Sequence, residues 1–150
     1  MEVKEHHIVY AKLLFKKAVS DLKSAKLLHE NNFYSNAVFL AQQSVEKAVK
    51  ALLALKGIQI REHIVSGYFA SEILAFAPEE WESKLREVLR ALISLEEHVL
   101  KPRYPIVTPR RIWDPEEGYT KELSTEALEN AEKILDVVKR YALEMFNVKL

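Results

Sequence analysis

The segment Lys101-Pro102-Arg103-Tyr104-Pro105-Ile106-Val107-Thr108-Pro109-Arg110-Arg111-Ile112-Trp113 concentrates the residue types best suited to chemistry in this chain. Its prolines lower the entropic cost of holding one shape, and its guanidinium groups present planar forks that match phosphate oxygens. Tyr104 and Trp113 add stacking faces, so basic and aromatic groups interleave as they do in single-stranded nucleic-acid or nucleotide sites. Arg103, Tyr104, Arg110 and Arg111 are therefore the candidate contacts for phosphate and base. The competing reading is structural: Tyr104 and Trp113 pack the segment down, and the arginines pair with Glu96, Glu97, Asp114 or Glu116.

His98 precedes Arg103 by five residues. A histidine with an arginine could supply proton transfer and charge stabilisation for RNA cleavage by 2′-hydroxyl attack. A histidine in the last turn of a helix is also favoured simply by the helix dipole. His63, beside Arg61, could face the same segment; its ordinary role would be a hydrogen-bonded residue at a helix start. His6 and His7 fall in a terminus expected to be mobile, and His29 closes the first helix, so none of the three suggests a preorganised site. The chain has no cysteine, no Gly-rich phosphate loop, no His-Glu-x-x-His, no Glu-x-x-His and no Gly-x-Ser-x-Gly. Thiol, metal and acyl-transfer chemistry are not expected, and no cofactor or metal is anticipated.

The elements that must position these groups read as helices. The chain has 150 residues, 49% of them hydrophobic, with only 3 Gly and 5 Pro. That suits one all-α domain spanning residues 1–150 with a single core. Ala11, Phe15, Ala18, Leu22 and Ala25 recur at steps of four and three and predict a helix from Val9 to about Glu30. Asn31 and Asn32 end it and could cap the next, Phe33 to Lys56, which is apolar on several sides and so central. Gly57 stops the second helix. A short helix is expected over His63 to Phe76, and a fourth from Pro78 at its first position to about Leu100. The Pro-rich segment to Tyr119 reads as an extended loop, and Ser124 as the N-cap of a last helix. The expected fold is thus an up-and-down bundle of four long helices plus one short one. Both helices of the first hairpin are too long, and the second too apolar, for a DNA-reading helix-turn-helix.

Charge is balanced at 22 basic and 22 acidic residues, which gives no global preference for nucleic acid or membrane. Locally it is uneven: residues 1–60 carry nine basic and five acidic residues, and residues 101–111 four basic and none acidic. No run approaches the roughly 18 apolar residues of a membrane span, and the charged first ten residues do not read as a signal peptide. A soluble cytoplasmic protein is the expectation.

Ala18-x6-Ala25 followed by Asn32-Phe33-Tyr34-Ser35-Asn36-Ala37-Val38-Phe39-Leu40-Ala41-Gln42-Gln43-Ser44-Val45-Glu46-Lys47-Ala48-Val49-Lys50-Ala51-Leu52-Leu53 resembles the HEPN family, the higher eukaryotes and prokaryotes nucleotide-binding domain. His63, the Arg103-Tyr104-Pro105 triplet and Tyr119 follow in the order of its small prokaryotic members. A Phe-Tyr-x-x-Ala hairpin also occurs in tetratricopeptide repeats, but those recur at about 34 residues and this chain has one copy. The resemblance implies a four- to five-helix bundle, commonly a homodimer, often paired with a minimal nucleotidyltransferase as a toxin–antitoxin-like system. Many members are metal-independent ribonucleases using Arg-x4–6-His. Here Arg90 and His98 are separated by seven residues and Arg61 and His63 by one, so that spacing is absent. Three functions follow: nucleotide or single-stranded RNA binding through the Arg103–Trp113 loop, endoribonuclease activity using His98 and Arg103, or a dimeric interaction module.

Overall fold

The computed structural model describes residues 2–150 as an all-α bundle carrying a minimal two-stranded sheet. Four long helices, α1 (Glu5–Glu30), α2 (Tyr34–Leu55), α4 (Glu79–Glu96) and α6 (Lys121–Phe146), pack around one continuous core. A short α3 (Ser66–Tyr68) links α2 to α4, while strands β1 (Ile106–Val107) and β2 (Ile112–Trp113) and a one-turn α5 (Pro115–Gly118) lead into α6. No helix among the described residues is long and apolar enough to cross a membrane.

The predicted stripe of α1 is buried as a unit: Ala11, Phe15, Ala18, Leu22 and Ala25. Alanines at this seam let the helices approach closely, and the Ser44 hydroxyl of α2 donates to the Ala18 carbonyl at 2.6 Å. Helix α2 contributes buried residues from all sides, as expected of the central element. Helix α1 starts four residues before the predicted Val9, so His6 and His7 lie in its first turns rather than in a mobile terminus. Asn32 adopts the left-handed conformation, with φ 67°, that the Asn-Asn signal predicted. Its side chain accepts from the Tyr34 hydroxyl instead of capping α2, whose N-cap is Phe33.

Four features of the element boundaries differ from expectation for local reasons. The segment expected as one short helix is α3, a π turn (Phe69–Ile73) and a 3-10 turn (Leu74–Phe76) in series, held by the buried side chains of Phe69 and Ile73. Helix α4 ends at Glu96, not Leu100, and Pro78 is its N-cap rather than its first residue. Pro102 lacks an N–H and disfavours helical backbone at Lys101, so the chain leaves by successive turns through His98 and Arg103. Thr120, not Ser124, caps α6, its side chain accepting from the Leu123 amide at 3.2 Å. Ser124 is a fully buried residue inside the helix, 2.7 Å from His29 Nδ1. His29, set aside from the sequence, thereby ties the end of α1 to the start of α6.

Candidate nucleic-acid interface

The Pro-rich segment is a built element rather than an extended loop. Ile106 pairs with Trp113 and Val107 with Ile112 in an antiparallel hairpin. Its tip is the turn Thr108-Pro109-Arg110-Arg111, with proline at the second position, where its fixed φ suits a β-turn. Thr108 closes that turn on three sides: its amide donates to the Arg111 carbonyl at 2.8 Å, its hydroxyl donates to the same oxygen at 2.8 Å, and the Arg111 amide donates to the hydroxyl at 3.1 Å. Arg110 and Arg111 are thus displayed side by side at a fixed tip, both exposed.

At the base of the hairpin, Trp113 folds inward over Gly118 and meets Tyr119 edge to face, 5.7 Å between ring centres. Tyr119 is buried, and its hydroxyl lies 2.7 Å from Nδ1 of His98. Burial pushes the Tyr119 phenol up to about 12, with the Glu97 carboxylate acting in the same direction. His98 is half-buried, and its pKa lies below 6.5 because burial disfavours the charged ring; Lys101 lowers it further, while Glu97 and Glu126 oppose the shift.

Arg103 is held by a separate set of contacts. Its guanidinium carbon lies 4.8 Å from the ring centre of Phe39 on α2 and 5.6 Å from that of Tyr104, and its Nε donates to the Val99 carbonyl at 3.2 Å. Tyr104 remains 59% exposed, leaving much of its surface open for stacking. Thus His98 and Arg103 each have their own supporting contacts: the histidine is held by Tyr119, the arginine by Phe39, Tyr104 and Val99.

None of Arg103, Arg110 and Arg111 forms an ion pair among the described residues. Three of the four acidic residues weighed as partners are occupied elsewhere. Glu96 accepts from the amides of Val65 and Ser66 at 2.6 and 3.2 Å, holding the start of α3. Asp114 caps α5 by accepting from the Glu116 amide at 2.9 Å, and Glu116 accepts from the Ser35 hydroxyl at 3.0 Å. Glu96, Asp114 and Glu116 therefore serve the scaffold rather than the arginines. The hydrogen-bond partner of His63 is the buried Glu46 of α2, at 3.1 Å, which also pairs with Lys50.

Phe39, Thr108 and Tyr119 are supporting residues that sequence reasoning did not assign to the site. Thr-Pro before two arginines carried a turn signal that could have located the tip. Nothing local marks Tyr119 as the partner of a histidine 21 residues earlier.

Comparison with known proteins decides the family. The HEPN domain model matches residues 11–141. The chain belongs to the HEPN family. A relative of nearly the same length, the Methanocaldococcus jannaschii protein named "Putative toxin MJ1304", is 44% identical over 150 residues, covering 99% of each chain. Among solved structures, an archaeal HEPN homologue superposes with a TM-score of 0.67 at 31% identity, over 87% of this chain and 95% of its own. A protein from Thermus thermophilus gives a TM-score of 0.67 at 26% identity, over 87% of this chain and 96% of its own. A HEPN domain protein from Thermotoga maritima covers 94% of this chain and 100% of its own, with a TM-score of 0.57 at 25% identity. The helical bundle read from the sequence is therefore the HEPN fold.

Proposed function

We propose that this HEPN protein is a toxin-type module that binds single-stranded RNA or a nucleotide through the Arg103–Trp113 hairpin, as a homodimer working with a minimal nucleotidyltransferase. The toxin part of this reading draws on the name of its Methanocaldococcus relative. The ligand part is carried by one observation: among the described residues Arg103, Arg110 and Arg111 form no ion pair, while the neighbouring Glu96, Asp114 and Glu116 hold backbone amides and a serine. Guanidinium groups beside an exposed tyrosine suit a phosphate backbone with an unstacked base. Fixing the tip with Thr108 and Pro109 reduces the entropy lost when a ligand is bound.

Binding is favoured over cleavage by the separate engagement of His98 and Arg103. An acid–base mechanism for 2′-hydroxyl attack needs a group free to take up the proton, whereas His98 Nδ1 is taken up by the Tyr119 hydroxyl and Arg103 Nε by the Val99 carbonyl. The test is a labelled single-stranded RNA pool incubated with the protein in EDTA, read for retardation and cleavage in the same lanes. Wild type should retard RNA without cutting it, and Arg103→Ala should bind less at unchanged helicity. Cleavage that disappears in His98→Ala would replace this reading with a ribonuclease.

A further inference from the structure

His98 has two unlike nitrogens. Nδ1 lies 2.7 Å from the Tyr119 hydroxyl, whereas Nε2 has no hydrogen-bond partner among the described residues and is not one of their buried unpartnered atoms, so it keeps access to solvent. The environment of Nδ1 therefore decides what the outward nitrogen can do. We propose that Tyr119 is a positioning residue that keeps the His98 proton on Nε2, making the outward edge of the ring a hydrogen-bond donor for a ligand phosphate. The donor role rests on the reading of the hairpin as a phosphate-binding surface.

The direction of the hydrogen bond follows from what surrounds the phenol. Tyr119 is buried, and a buried hydroxyl needs an acceptor for its hydrogen. His98 Nδ1 is the partner within reach. A phenol oxygen shares its lone pair with the ring, which makes it a better donor than acceptor. Were the proton on Nδ1 instead, the tyrosine hydrogen would lose that acceptor, and the imidazole would donate to the poorer lone pair. The Tyr119 ring cannot readily turn away, because Trp113 packs edge to face on it at 5.7 Å and His98 does the same at 5.4 Å.

Burial outweighs the net effect of the nearby charges and keeps the His98 ring neutral at physiological pH. Glu97 and Glu126 favour the imidazolium, Lys101 opposes it, and burial, the largest influence, opposes it as well. Tyr119 keeps its own proton, since burial raises the phenol well above neutrality. The pair is then neutral on both sides: Tyr119 donates inward to Nδ1, and Nε2–H points outward. A ring in this state cannot accept a proton at its exposed nitrogen, so His98 acts as a hydrogen-bond donor to phosphate rather than as a general base. Tyr119 also abuts Trp113 at the foot of β2, which joins His98 to the element carrying Arg110 and Arg111.

The test is a multiple-bond ¹H–¹⁵N spectrum of histidine-labelled protein at neutral pH, for wild type and Tyr119→Phe, with and without a short oligouridylate. Wild-type His98 should show protonated Nε2 and unprotonated Nδ1, and its Nε2–H should shift when the oligouridylate is added. Tyr119→Phe keeps the ring but should give a mixture of tautomers and roughly three- to tenfold weaker RNA binding. A wild-type Nδ1–H form, or an unchanged tautomer ratio in a Tyr119→Phe protein of native helicity, overturns the proposal. If Tyr119→Phe does not fold, the wild-type spectrum alone decides the tautomer. A correct tautomer with normal RNA binding but no Nε2–H shift overturns the donor role alone, the wrong tautomer with normal RNA binding overturns both the role of Tyr119 and the donor role, and absence of RNA binding overturns the hairpin reading with the donor role.

Discussion

The indole of Trp113 lies so closely over Gly118 that a Cβ there would overlap the ring, with Nε1 only 2.6 Å away. The contact folds the base of the hairpin onto the end of α5, beside the Tyr119 that leads on to His98. Gly118→Ala should therefore displace Trp113, costing about 1–3 kcal/mol by overpacking and weakening RNA binding through misplacement of β2. Urea unfolding followed by tryptophan fluorescence checks the stability, and anisotropy with a labelled oligouridylate checks the binding. Native stability in this variant would show that the indole can move freely.

Stability should form a plateau in pH with one edge set by each member of the His98–Tyr119 pair. The folded His98 pKa is depressed, so the unfolded chain binds more protons just below pH 6.5; this contribution is complete above that value and is lost as pH falls through the folded pKa. The folded Tyr119 pKa is raised from 10.0 to about 12. Its contribution, on the order of 2–3 kcal/mol, is complete below pH 10 and is lost as pH rises toward 12. Urea melts across pH should show both edges, and His98→Gln should soften the acid one. An acid edge unchanged by His98→Gln would assign that titration to another group.

Glu96 reaches from the end of α4 to the first amides of the α3 segment. Glu96→Ala should leave the Val65 and Ser66 N–H groups without their acceptor and cost about 1–2 kcal/mol. Hydrogen exchange should accelerate at those two amides before the rest of the bundle. Uniform protection with unchanged stability would mean that the carboxylate is dispensable.

Much of the fold was readable because it rests on periodicity. The α1 stripe Ala11, Phe15, Ala18, Leu22 and Ala25 is buried at every predicted position, and Asn32 turns the chain as its residue type allows. Capping was less legible, since Thr120 and Ser124 are both good caps and only tertiary contact with His29 draws Ser124 into the interior. The hairpin was read as a loop because two-residue strands leave no alternating pattern to detect. Its arginines and aromatics were visible as residue types. Their arrangement depends on pairs distant in sequence, Arg103 with Phe39 and His98 with Tyr119, which no local spacing encodes.

The most direct test of the account is the salt dependence of oligouridylate binding for wild type and the Arg110→Ala/Arg111→Ala double variant. Both residues are exposed and form no ion pair among the described residues, so the substitutions should leave the fold intact. If each contacts one phosphate, the double variant should lose about 1.4 from the slope of log affinity against log salt, and at least tenfold in affinity at low salt. Equal affinity and slope for the two proteins would contradict the central claim that the hairpin arginines bind the phosphate backbone.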